Sequence, residues 1–107
     1  MATVTEKQIE QYLVKQAKLY GGKAFKWISP GNNGVPDRIV ILPGAIIGFL
    51  EMKAPGKTST ALQLRVQEWL RKRGFPVFTD VDSKLKVDLA LGELAQNRRV
   101  YPHTRGD

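Results

Sequence analysis

The first apolar residues to recur along the chain are Ile9, Leu13, Ala17 and Tyr20, at the three- and four-residue spacing of one helix face. Thr5 and Gln8 have the spacing of a capping box and Gly21-Gly22 stop the pattern, so a helix is expected over residues 5 to 20. Lys23 to Ile28 alternates, with Phe25 and Trp27 on one side, and predicts a short strand. The turn-rich stretch 29–34 follows, and then two apolar runs, Asp37 to Leu42 and Ala45 to Met52, are joined at Pro43-Gly44. They predict a hairpin whose second strand is largely buried.

Ala54-Pro55-Gly56 breaks that strand. Thr58, Ser59 and Thr60 then offer helix caps, and Leu62, Val66, Trp69 and Leu70 mark the expected inner face of a second helix ending at Gly74. Pro76 to Val81 reads as a last strand, and Asp82 or Ser83 caps a third helix reaching about Gln96. The tail from Asn97 to Asp107 has no period and is expected to be loose. The order α-β-β-β-α-β-α belongs to the α/β class, with a mixed sheet covered by helices, in a single domain spanning 1–107.

Of the 107 residues, 42% are hydrophobic and 25% charged, which suits a globular fold with a core of its own. The absence of cysteine excludes disulfides, thiolate metal sites and cysteine nucleophiles. No apolar run approaches the ~18 residues of a membrane span, and the first residues lack the pattern of a signal peptide. A cytoplasmic protein without a membrane partner is expected. A formal charge of +7 favours a polyanionic partner, although solubility alone accounts for such a charge in many domains.

Against this basic background the acids Glu10, Asp37 and Glu51 sit in or beside apolar stretches. Glu51 and Lys53 lie two apart on a strand, so they leave the same face, shared with Phe49, while Met52 points the other way. If the hairpin is centred on Gly44, facing residues have numbers summing to 88 and Asp37 lies opposite Glu51, with Cβ atoms ~4.5–5.5 Å apart. A one-residue slip would break that pairing. Two buried carboxylates at such a distance repel, and a divalent cation between them removes the repulsion. Oxygen-only sites suit Mg²⁺ or Mn²⁺, which acidify water and offset charge growing on a phosphate, with Lys53 at hand to assist. A bare Glu-x-Lys pair is more often a surface ion pair worth less than ~1 kcal/mol. Its place at the end of a buried strand, beside Asp37, turns the reading towards a site.

The segments Gly34-Val35-Pro36-Asp37-Arg38, Pro43-Gly44 and Phe49-Leu50-Glu51-Met52-Lys53-Ala54-Pro55-Gly56 resemble the virus-type replication–repair nuclease (VRR-NUC) domain, a branch of the PD-(D/E)xK nucleases, in an order that spans about residues 5 to 90. The resemblance implies a restriction-endonuclease-like fold and Mg²⁺- or Mn²⁺-dependent DNA cleavage. It implies Asp37 and Glu51 as metal ligands, Lys53 as the catalytic lysine, Glu10 as the first-helix acid that completes the metal shell directly or through water, and Gln63 as the site glutamine, with Gln67 one turn later as the other candidate. It further implies a homodimer acting on branched DNA such as Holliday junctions. A non-catalytic basic DNA-binding module with the same fold is the alternative.

Arg38, Lys57, Arg65, Lys23 and Lys26 are expected to meet DNA phosphates, with Arg71, Lys72 and Arg73 further along the second helix. Arg38 could instead pair with a carboxylate, and the others could be a solvated face. Trp27 and Trp69 could stack on bases, but their positions read first as core. His103 is the only histidine and lies in the tail, which leaves a Ser-His-Asp triad or a histidine metal site unsupported. The glycine-rich stretch 31–34 lacks the Lys-Ser/Thr of a phosphate-binding loop.

Overall fold

The computed structural model describes residues 3–97; His103 and nearly all of the tail expected to be loose lie outside the described residues. The elements run α1 (Glu6–Leu19), β1 (Lys23–Lys26), β2 (Arg38–Leu42), β3 (Ile46–Met52), α2 (Ala61–Lys72), β4 (Val77–Val81) and α3 (Lys84–Gln96), in the order expected from the sequence. Capping residues set the helix starts. Thr5 and Gln8 form the expected reciprocal box on α1, Thr60 and Gln63 form a second on α2, and the Ser83 hydroxyl accepts from the Lys86 backbone on α3. None of these helices is long and apolar enough to cross a membrane.

The sheet order is β1-β2-β3-β4. β1, β2 and β3 are antiparallel neighbours, and β4 runs parallel to β3 after the crossover through α2. The β2–β3 register pairs Arg38 with Leu50 and Leu42 with Ile46, so every facing pair sums to 88 as expected. Positive φ at Gly44 (90°) and Ala45 (61°) shapes the turn that fixes this register. Alternation along β3 then divides the core. Leu50 and Met52 face α1 and α3 with Ile9, Leu13, Val87, Leu91 and Leu94, whereas Phe49 faces α2 with Leu70 and Val77. Each fully buried side chain of this size contributes ~1.5–3 kcal/mol of transfer free energy.

The inner face of α2 differs from the expected one. Leu62 and Trp69 are exposed, and the buried positions are Leu70 and Gln67. Gln67 is tolerated in the interior because its amide is satisfied: it donates to Ser59 Oγ at 3.1 Å and accepts from the Thr79 hydroxyl.

Candidate active site

β3 continues past the end of its hairpin partner, and the chemistry gathers there. β4 bulges at this point. Leu50 pairs with Phe78 but Met52 pairs with Val81, so Thr79 and Asp80 together stand opposite Glu51. The extra residue turns Val81 into the α1–α3 core and leaves Asp80 in a left-handed conformation (φ 54°) that Asp tolerates better than most side chains. Asp80 Oδ1 accepts from both the backbone N–H (2.8 Å) and the hydroxyl (2.6 Å) of Ser59. Arg71 donates to Thr79 Oγ1 and to the Val77 carbonyl. This network ties the start of α2 to the bulge.

Asp37 immediately precedes β2, and its Oδ2 accepts from the Met52 backbone N–H at 2.9 Å, which holds the carboxylate across the end of β3. Glu51 is 1% exposed; its Oε2 accepts from Gln63 Nε2 at 3.2 Å and pairs with Lys53 Nζ at 3.3 Å. Lys53 Nζ also donates to Gln63 Oε1 at 2.9 Å, the same oxygen that accepts from the Thr60 backbone N–H at 2.8 Å. Asp37, Glu51, Lys53 and Gln63 therefore converge.

Burial, then repulsion from Asp37, pushes the Glu51 carboxyl up to about 7, with Lys53 pulling the other way. Burial likewise raises Asp37, against the Met52 N–H bond that lowers it. Glu51 Oε1 is buried and has no hydrogen-bond partner.

An oxygen-only pair of carboxylates, one with an orphaned buried lone pair, fits a hard divalent cation. Of the third expected ligand, Glu10, one oxygen is taken: its Oε1 accepts from Arg38 Nε at 2.9 Å, while its negative charge still reaches Asp37 and helps raise that carboxyl. Among the described residues no group of three or more His, Cys, Asp or Glu side chains is gathered as a metal cage. Arg38, expected among the phosphate contacts, is 9% exposed, and its guanidinium also reaches the Ala24 carbonyl at 3.4 Å. It thus takes the carboxylate-pairing role, because its position at the start of a buried strand points it at α1.

Lys23, Lys26, Lys57 and Arg65 are exposed. Lys26 lines an open groove of about 300 Å³ with Lys7 and Glu10, beside the Arg38 pair, and Lys23 Nζ lies 4.8 Å over the Phe25 ring. Of the two candidate glutamines, Gln63 touches Glu51 and Lys53, whereas Gln67 sits one turn deeper in the polar network. Sequence reading missed Ser59 as a bridge to β4, along with Thr79, Asp80 and Arg71. The available signal was a polar Thr79-Asp80 pair inside an otherwise apolar strand.

No family model matches the chain. A protein of Acyrthosiphon pisum secondary endosymbiont phage 1, named "Putative nuclease p44", is 49% identical over 65 residues, which cover 61% of this chain and 70% of the phage protein. A solved structure titled "VRR_NUC domain" superposes with a TM-score of 0.76 at 36% identity, covering 85% of this chain and 97% of that one. Identity of this level over nearly the whole of a compact domain, in the same fold, makes this chain a member of the VRR-NUC family.

Proposed function

We propose that this nuclease is a Mg²⁺- or Mn²⁺-dependent, structure-selective endodeoxyribonuclease that hydrolyses phosphodiester bonds of branched DNA as a homodimer. The observation that carries the reading is Glu51: a carboxyl buried beside Asp37, with one oxygen unsatisfied and an ammonium group on the other. A protein that only bound DNA has no use for two repelling acids at such a position, whereas a nuclease does.

Asp37 and Glu51 would hold the cation. When bound, such a cation lowers the pKa of a water and offsets charge on the phosphate. Asp37 is kept in position by the Met52 backbone, so its carboxylate is set beside that of Glu51 without conformational search. Lys53 is held by Gln63 and Glu51 at the same point, where its ammonium can donate to an attacking water or to a non-bridging phosphate oxygen as negative charge grows. Hydrolysis forms a bond from the water oxygen to phosphorus, breaks the bond to the leaving sugar oxygen, and leaves a proton on that oxygen. Glu10 and Arg38 act at one remove, since their pair fixes the start of β2 next to Asp37. Phe25 and Ile41, both exposed on the part of the sheet that α2 leaves open, support a second copy of the chain as a partner.

The test is cleavage of labelled single strand, duplex, flap and four-way junction with Mg²⁺, Mn²⁺ or EDTA. Lys53→Ala and Asp37→Ala are expected to reduce metal-dependent cutting by about a hundredfold or more. Cutting that survives both substitutions overturns the site, and junction binding without cleavage under every metal overturns the activity in favour of a binding module.

A further inference from the structure

An open cavity of about 440 Å³ lies between the loop after β1 and the outer side of α2, with Trp27, Asn32, Asn33, Arg65 and Trp69 in its walls. Both walls are continuous with the active site. The loop runs on to Asp37, and the Trp27 backbone N–H donates to the Asp37 carbonyl at 2.9 Å. The helix wall begins two residues after Gln63, the side chain that bonds Glu51 and Lys53. The cavity is also a built one. Gly34 (φ +89°) lets the loop press on the first turn of α2, where an added Cβ would stand 2.9 Å from Leu62 Cγ and 3.3 Å from the Leu62 backbone.

Its chemistry is that of a base-binding surface. Two indoles contribute flat apolar area, and the Asn32 and Asn33 carboxamides supply donors and acceptors; among the described residues no carboxylate lines the space, while Arg65 brings positive charge. Trp69 is 53% exposed, and the Arg73 guanidinium lies 3.7 Å over its ring, held by a bond from Arg73 Nη1 to the Trp69 carbonyl. Indole and guanidinium planes are the surfaces on which unstacked bases lie, in sites that track a phosphate backbone. The volume falls within the ~300–1,000 Å³ of small-ligand sites, enough for a nucleotide and too little for a duplex. A net charge of +7 and the acid-free lining favour nucleic acid over an acid-seeking or cationic partner.

We propose that this cavity receives an unpaired nucleobase of the DNA beside the phosphate being cut, so that the enzyme selects substrates with a base already unstacked at or near a branch point. The inference rests on the nuclease reading above and names the feature of branched DNA that the same site recognises.

The test is a binding cycle in EDTA, where no cutting occurs. Fluorescence anisotropy is measured on a flap DNA in which a single abasic nucleotide is walked through the branch point, with the native protein, Trp69→Ala, Trp69→Phe and Arg65→Ala. One abasic position is expected to weaken native binding by about five- to a hundredfold, as befits one stacked base. Trp69→Ala, whose target is half exposed and outside the core, should weaken binding to the intact flap by a similar factor and add nothing on the abasic DNA. Trp69→Phe should recover most of the loss, and Arg65→Ala should weaken both DNAs equally.

Additive losses from Trp69→Ala and the abasic site, or no loss from either, overturn the proposal. So does a change of molecular mass by light scattering in Trp69→Ala, which would assign the face to a second protein copy. Failure of the nuclease reading shows separately, as absence of metal-dependent cutting by the native protein while the binding cycle still reports on the cavity.

Discussion

Glu51→Gln should make the metal-free protein more stable while abolishing its activity. The side chain is 1% exposed, and the amide is nearly isosteric with the carboxyl, so packing changes little. The difference is charge. In the metal-free protein Glu51 titrates at about 7, raised from its ordinary 4.5 by burial and by Asp37. At about 1.36 kcal/mol per pKa unit, ionising it within the fold costs about 3 kcal/mol, after the attraction of Lys53 has been counted. Because the folded-state pKa lies above the unfolded one, the folded state binds the proton more tightly. Native stability therefore suffers no penalty from this group below about pH 4.5, falls as pH rises from there to about 7, and carries the full penalty above.

Glutamine carries none of that penalty, and its carbonyl can still accept from Gln63 or Lys53. For a domain of this size 1 kcal/mol shifts Tm by ~4–8 °C, so the variant should melt about 12–24 °C higher than native at pH 8 in EDTA, with the gap closing towards pH 4.5. Adding Mg²⁺ should raise the native Tm and leave the variant nearly unmoved, while junction cleavage by the variant drops about a hundredfold or more. Differential scanning calorimetry across pH gives the first result and a cleavage assay the second. A native Tm that in EDTA does not diverge from that of the variant between pH 5 and 8, or a variant less stable than native at pH 8, would refute the account of Glu51 as a strained, unsatisfied acid.

Two glycines separate backbone from side-chain crowding. Gly22→Ala would drive its Cβ to 2.1 Å from the Ile41 carbonyl oxygen, a backbone atom that cannot step aside, and should cost about 3 kcal/mol or more in urea unfolding. Gly48→Ala first meets the Leu94 side chain, at 2.6 Å, and should cost about 1–2 kcal/mol; a larger loss at Gly48 than at Gly22 would contradict the contacts. Thr60→Ala removes the α2 cap alone and should lower stability by about 1 kcal/mol with cleavage little changed. Gln63→Ala should match that loss and in addition cut activity by roughly tenfold or more, because Lys53 and Glu51 lose their shared partner; equal activity in the two variants would remove Gln63 from the site.

The hairpin was legible because one turn controls it. Pro43-Gly44 sets the centre, the register follows by arithmetic, and Asp37 is thereby carried to the end of β3 beside Glu51. The helix starts were legible because capping is local, three residues deep. The inner face of α2 was not, since apolar spacing favours Leu62 and Trp69, whereas the helix buries Gln67 against Ser59 and Thr79, partners eight and twelve residues away. The bulge was equally hidden: Val77, Thr79 and Val81 alternate in sequence whether or not Asp80 is looped out. Arg38 shows the same limit, for its neighbour Asp37 suggested a phosphate contact and its partner Glu10 lies 28 residues earlier on α1.

What those non-local contacts achieve is registration of α2 against β3 and β4. A helix held by an apolar stripe can rock or slide at small cost, because dispersion contacts are many and individually weak. Hydrogen bonds through Gln67, Thr79, Ser59 and Asp80 are directional, and each lost one leaves a polar group unsatisfied in a partly dry interior. The N-terminal turn of α2 is thereby fixed, and with it Gln63, whose single oxygen both completes the capping box and holds Lys53. Folding the helix and orienting the lysine are in this way the same event. The arrangement also explains why Leu62, Arg65 and Trp69 stay outside: with the helix anchored through polar groups on its inner face, its outer face is not needed for packing and stays exposed.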